Sequence, residues 1–223
     1  MDDPISQALG NLEVALNVGG TIAFAISGAL AAGRARMDWA GVVVLGVVAA
    51  VGGGTTRDLL LGELPVFWVG DTWFVIVAAI TALAVIPVSR TRVLKLLNRY
   101  DIVNVADAAG LSLFVITGVG IALDAGANDF VAMLMGVIAG TGGGIIRDLL
   151  ANKVPEVLKK GEVYATAALA GAAIYVGLLQ TSIDPRLALW LPIAFIFGLR
   201  MLAIFRGWEI PKFEPQKAPE TGE

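Results

Sequence analysis

Apolar residues run along this chain in long blocks broken by short polar stretches. A helix needs about 20 mainly apolar residues to cross the hydrocarbon of a bilayer. Seven blocks have that length, at 14–33, 39–62, 70–89, 102–123, 129–150, 162–182 and 186–205, and each predicts a spanning helix. The breaks carry turn chemistry. Arg34-Ala35-Arg36-Met37-Asp38 separates the first two blocks, and a polar turn runs from Asp124 to Asp129. The longest break begins at Ser89 and ends near Asp101. Thr181-Ser182-Ile183-Asp184-Pro185 is a turn that also caps the last helix, because proline suits a first helical turn. Trp39, Trp68, Trp73 and Trp190 stand near predicted helix ends, as an aromatic belt at the membrane surface would. From Gly207 onward the chain is polar and proline-rich, which predicts disorder.

Composition supports lipid as the solvent. Hydrophobic residues make up 57% of the 223 and charged residues 16%, against roughly a quarter charged in soluble chains. Cysteine and histidine are both absent. That removes disulfides, cysteine nucleophiles, Ser-His-Asp triads and histidine or cysteine metal sites, so no enzyme, metal or cofactor is expected. No block of Lys and Arg predicts a nucleic-acid partner. Met1-Asp2-Asp3-Pro4 is acidic where a signal peptide needs a basic start.

Charge distribution gives an orientation. With seven spans, every Lys and Arg of the 16 except Arg57 and Arg186 falls on the side that holds the C-terminus. The positive-inside rule then places the C-terminus in the cytoplasm and the N-terminus outside, for a multi-pass protein of the cell membrane with lipids as neighbours.

The chain also repeats itself. Val51-Gly52-Gly53-Gly54-Thr55-Thr56-Arg57-Asp58-Leu59-Leu60 is echoed 90 residues later by Thr141-Gly142-Gly143-Gly144-Ile145-Ile146-Arg147-Asp148-Leu149-Leu150. At the same offset Phe24 matches Phe114, Ser27-Gly28 matches Thr117-Gly118, Gly46 matches Gly136, and Pro65 matches Pro155. Repeat one covers about 11–89 and repeat two about 101–182; a seventh helix at about 186–205 is an addition. Three spans per repeat is odd, so the copies cross the membrane in opposite directions, a plan that often frames a solute pathway. The expected fold is an all-α membrane protein of seven transmembrane helices, an inverted 3+3 repeat plus one. It forms one transmembrane domain over 1–206, followed by a polar cytoplasmic tail at 207–223.

Several residues are candidates for the pathway. Gly52, Gly53 and Gly54, and equally Gly142, Gly143 and Gly144, lie about two-thirds of the way along their spans. Each interior glycine weakens a helix by about 1 kcal/mol relative to alanine. The triplets therefore predict either bends whose carbonyls face a cation pore or close helix packing through small residues. Arg57-Asp58 and Arg147-Asp148 follow. Adjacent helical residues point about 100° apart, so each Arg is expected to find its partner on another helix, as a gate lock or structural brace, or else to snorkel. Asp107, where repeat one has Asn17, reads either as a helix-start acid or as a carboxylate at a pore mouth. Ser27 and Thr117 are matched hydroxyls that either bond back to their own helices or line a narrow zone. Arg200 is expected to snorkel to the cytoplasmic face. The glycine motif is not a phosphate loop, since no Lys-Ser or Lys-Thr follows it.

Seven spans as three, three and one, with Gly-Gly-Gly-x-x-Arg-Asp in spans two and five, resemble the prokaryotic branch of the TRIC family, the trimeric intracellular cation channels. The resemblance covers about residues 10–206. It implies a homotrimer with a separate pore through each subunit, lined by spans two and five and passing potassium and sodium ions. It also implies bent helices at Gly52–Gly54 and Gly142–Gly144. The Lys-Glu-Val motif of animal members is absent, so their regulation does not carry over. Bacterial relatives are also described as transporters of a small amino acid such as glycine. The two functional expectations are thus a passive monovalent cation channel and a secondary transporter of a small zwitterion.

Overall fold

The computed structural model describes residues 4–89, 101–159 and 163–208. Eight helices lie within them: α1 (Pro4–Arg34), α2 (Trp39–Leu61), α3 (Phe67–Gly70), α4 (Trp73–Ser89), α5 (Ile102–Asp124), α6 (Asp129–Leu150), α7 (Ala165–Leu179) and α8 (Pro185–Arg206). A 3-10 turn occupies Glu156–Leu158. The break from 90 to 100 and the tail beyond Trp208 lie outside the described residues. Block 70–89 is divided at Asp71, where the backbone leaves helical geometry, so single-turn α3 precedes α4.

The repeat is visible in how helices begin and end. Asp38 caps α2 by accepting from the Gly41 N–H at 2.7 Å, and its mate Asn128 caps α6 by accepting from Val131 at 3.0 Å. Such caps satisfy the orphan amides of a first turn. Left-handed backbone recurs at matched positions, with φ of 56° at Arg36 and 83° at Gly126, then 75° at Gly62 and 56° at Asn152. Asp184 accepts from Arg186 at 2.7 Å with Pro185 opening α8, which is the expected cap.

Packing runs through small residues. A Cβ on Gly53 would lie 2.0 Å from the Ala139 carbonyl oxygen, and one on Gly143 would lie 2.2 Å from that of Ala49. Ala49 and Ala139 are themselves repeat mates, so α2 and α6 cross by the same contact made twice, as a two-fold axis requires. Phe24 of α1 meets its mate Phe114 of α5 at 5.4 Å between ring centroids. Gly28 against Gly46 joins α1 to α2, and Gly118 against Gly136 joins α5 to α6. Helix α4 packs on α1 and α2, while α7 and α8 pack on α5.

Both glycine triplets stay α-helical throughout. The expected loosening is not a break, because each triplet is pressed against the facing helix. In α2 two hydroxyls add bonds beside it, Thr55 to the Val51 carbonyl at 2.7 Å and Thr56 to that of Gly52 at 2.9 Å.

Five helices are long and apolar enough to cross a membrane: α1 from Gly10, α2, α5, α6 and α8. Helices α4 and α7 are apolar but shorter, at 17 and 15 residues. Leu187, Leu191, Phe195 and Leu202 form an exposed apolar stripe on α8, whereas Arg57, Asp107, Arg147 and Arg200 are buried.

Candidate functional site

Five of the buried polar residues form one cluster, Ser27 of α1 with Asp107, Arg147, Asp148 and Glu156 of the second half. Arg147, in the last turn of α6, is 1% exposed. Its Nε donates to Asp148 Oδ1 at 2.8 Å. Its Nη1 donates to Asp107 Oδ1 of α5 at 2.6 Å and to Ser27 Oγ of α1 at 2.5 Å. Ser27 in turn donates to the Val103 carbonyl at 3.1 Å. Asp148 uses its other oxygen to accept from the Glu156 N–H at 3.0 Å, which folds the chain after α6 back over the cluster. Glu156 accepts from Asn104 at 3.2 Å and pairs with Lys159. Removing an ion from water costs several kcal/mol, so a buried guanidinium needs this many partners.

The first half has a lighter version. Arg57 gives both Nε and Nη2 to Asp58 Oδ1, at 2.8 and 2.6 Å. Asp58 Oδ2 accepts from the Phe67 N–H at 2.8 Å, the counterpart of the Asp148–Glu156 bond. The Arg57 guanidinium lies 5.9 Å from the Phe67 ring centroid. No second carboxylate reaches it among the described ion pairs, because Asn17 stands where repeat two has Asp107.

Each cluster borders a cavity. One of about 210 Å³ is lined by Asn17, Gly54, Arg57, Phe67, Asp71 and Phe114, among others. The other, of about 90 Å³, is lined by Arg34, Asp101, Asn104, Arg147, Asp148 and Glu156, among others. Asn17 and Arg34 stand about 25 Å apart on α1, at roughly 1.5 Å per residue. The cavities therefore open at opposite ends of the bundle. Between them lie Phe24 and the crossing of Gly53 with Gly143.

These contacts correct several expectations. Each Arg does pair with the Asp that follows it. The 100° between adjacent side chains describes their Cβ directions, whereas a guanidinium on three methylenes can reach back. Among the described residues Arg147 also finds an ion-pair partner on another helix, whereas Arg57 has only the Phe67 ring there. Neither Arg57 nor Arg147 snorkels, and neither does Arg200, which is fully buried and donates to the Val163 carbonyl at 3.0 Å. Asp107 is neither a helix-start acid nor at an open mouth; it is 0% exposed and ion-paired. Ser27 belongs to the Arg147 cluster, whereas Thr117 bonds back to Leu113 at 3.2 Å. Glu156, Asn104, Tyr164 and Phe67 are participants that motif reasoning missed. For Tyr164 a signal existed: it matches Phe74 at the offset of 90, so the repeat differs there by one hydroxyl.

The sequence pattern of the family described as Glycine transporter matches twice, over 14–90 and 104–180, which again gives the offset of 90. The UPF0126 inner membrane protein YadS of Escherichia coli is 43% identical over 199 residues, covering 89% of this chain and 94% of that protein. The UPF0126 membrane protein YvgT of Bacillus subtilis is 37% identical, covering 88% and 94%. Among solved structures, the TRIC trimeric intracellular cation channel orthologue from Rhodobacter sphaeroides is 41% identical, with a TM-score of 0.82 over 88% of this chain and 98% of that one. A prokaryotic TRIC channel solved in 0.5 M KCl is 34% identical, with a TM-score of 0.79 over 89% and 98%. With five helices long and apolar enough to cross and relatives named as membrane proteins, this is a multi-pass membrane protein. The chain belongs to the family described as Glycine transporter, which is the TRIC family, in its prokaryotic branch.

Proposed function

We propose that this protein is a passive channel for monovalent cations, potassium and also sodium, with a pore inside each subunit of a homotrimer. The relatives of known structure are TRIC cation channels, one of them described as trimeric. The observation that carries the reading is the pair of cavities, one at each Arg-Asp pair, at opposite ends of the glycine crossing. Three lining positions are repeat mates: Val14 with Asn104, Arg57 with Arg147, and Ile121 with Ala31. Asp71 in one cavity and Asp101, Asp148 and Glu156 in the other supply carboxylates that offset the arginines. Gly52–Gly54, Gly142–Gly144 and Thr117 flank the closed middle. Arg147 with Asp107, Asp148 and Ser27 is the lock of one half, and Arg57 with Asp58 that of the other. Helices α4 and α7 also cross, giving seven spans in one domain over 1–206. The N-terminus lies outside and the tail 207–223 in the cytoplasm.

A second reading rests on the larger cavity, which holds Arg57 and Asp71 together, partners for the carboxylate and ammonium of a small zwitterion such as glycine. Single-channel recording of purified protein in planar bilayers under asymmetric potassium chloride separates the two. A channel gives discrete ohmic steps reversing near the potassium equilibrium potential. Silence from folded, inserted protein together with saturable uptake of radiolabelled glycine would establish the carrier instead.

A further inference from the structure

Helix α8 lies outside the repeat, yet it buries an arginine, which donates to the Val163 carbonyl at 3.0 Å. Arg200 is 0% exposed, and a charge placed so deep in an apolar span has a function by default. Its guanidinium carbon sits 4.6 Å over the ring of Tyr164, which is 1% exposed. The hydroxyl of that ring reaches the hollow left by Gly144. A Cβ there would lie 2.8 Å from the Tyr164 hydroxyl and 2.9 Å from Asp107 Oδ1, with Arg147 Nη2 at 3.8 Å. Asp107 Oδ1 is the atom that accepts from Arg147. The Tyr164 hydroxyl and Asp107 Oδ2 are buried, and neither has a hydrogen-bond partner among the described residues. A donor and an acceptor thus share one hollow, each able to satisfy the other.

The first repeat supplies an internal control. The mate of Tyr164 is Phe74, which carries no hydroxyl and stacks on Trp73 with centroids 3.9 Å apart. The mate of Gly144 is Gly54, which faces the ring of Phe67. The mate of Asp107 is Asn17, and α8 has no mate at all. Two of the differences that add polarity to the second half, Tyr164 for Phe74 and Asp107 for Asn17, fall on the line from Arg200 to Arg147.

We propose that Arg200 and Tyr164 are positioning residues. Arg200 fixes the plane of the Tyr164 ring, and the Tyr164 hydroxyl holds Asp107 against Arg147. Helix α8 thereby keeps the lock of the second half shut, and the two ends of the pathway open unequally, the Arg57 end more readily. This rests on the reading of Arg147 and Asp107 as a lock. A guanidinium over a ring face is attractive, and more so when both are out of water. In the low-dielectric interior the loss of one hydrogen bond to a charged group is felt strongly.

The test is single-channel recording of Tyr164→Phe, Arg200→Gln and Asp107→Asn, alone and in pairs, on full-length protein shown to be monodisperse. Tyr164→Phe keeps the ring and removes one atom, so it keeps the test alive where Arg200→Gln does not fold. Each single variant is expected to raise open probability by roughly tenfold, the size of one hydrogen bond to a charged group, at unchanged unitary conductance. Neither Tyr164→Phe nor Arg200→Gln should add to the effect of Asp107→Asn. A bracing role confined to stability would lower the yield and thermal midpoint and leave open probability alone. Normal gating in Tyr164→Phe beside altered gating in Asp107→Asn overturns this proposal and spares the lock. Additive effects overturn it as well. Normal gating in Asp107→Asn removes the lock itself, and the proposal with it.

Discussion

Asp107 Oδ1 and Arg147 Nη1 meet at 2.6 Å across 40 residues of sequence, with each side chain only 1% exposed. This pair joins α5 to α6 inside the second repeat. At the same place in the first repeat an amide, Asn17, faces Arg57 across a cavity. Two halves with one backbone plan therefore hold their arginines with different strength, and the expectations below follow from that asymmetry and from the crossing between the halves.

Replacing Arg147 with Met strands Asp107 and Asp148 without their cation. Breaking a buried pair from one side costs about 3–5 kcal/mol. Asp107→Asn copies the first repeat and leaves Arg147 with Asp148, so it should cost clearly less. Unfolding in detergent, followed by circular dichroism, ranks the two. Equal midpoints for wild type and Arg147→Met would mean that the cluster does not hold these helices together.

Alanine at Gly53 or Gly143 puts a Cβ within 2.0 or 2.2 Å of a backbone oxygen on the facing helix. A backbone cannot step aside as a side chain can, and overpacking of this kind costs about 1–3 kcal/mol. Gly33 has nothing within 4 Å of its Cβ position, so Gly33→Ala should be neutral or stabilising by up to about 1 kcal/mol. Thermal midpoints of the three variants check this. Because the crossing is structural, loss of current in bulky Gly53 or Gly143 variants would not by itself place these residues on the pathway.

Asp71 is an exposed carboxylate at the larger cavity. Its removal in Asp71→Asn should lower cation current entering from that side by roughly twofold in dilute salt, in line with the worth of an exposed charge. At 1 M salt the Debye length falls to about 3 Å, and the difference should fade. Conductance measured against potassium chloride concentration decides it; a salt-independent deficit would point to altered structure instead.

Leu64 and Val154 are repeat mates, 71% and 63% exposed, in the segments that follow α2 and α6. With three spans in each repeat, they should stand on opposite faces of the membrane. The native chain has no cysteine, so Leu64→Cys and Val154→Cys each introduce one thiol into an unreactive background. A membrane-impermeant maleimide should label Leu64→Cys in intact cells and Val154→Cys only after permeabilisation. Labelling of both from outside would refute the inverted plan.

The sequence alone settled what depends on local pattern. Long apolar blocks specify helices because lipid leaves the backbone no other partner. Asp38, Asn128 and Asp184 mark helix starts through bonds made within a single turn. The offset of 90 exposed the two halves because mates share the same environment. What the tertiary structure decided concerns groups that meet only after helices dock. Gly53 and Gly143 make a backbone-to-backbone crossing of α2 with α6, which no single span reveals. Whether an Arg answers its neighbour, another helix or water depends on how far the docked neighbours shut water out. For that reason Arg57 and Arg147, alike in sequence, differ in partners, and Arg200, with no mate to compare, was unreadable until Tyr164 came to lie beneath it. Hydrophobic periodicity is written along one dimension; the pairing of buried charges is selected by desolvation in three.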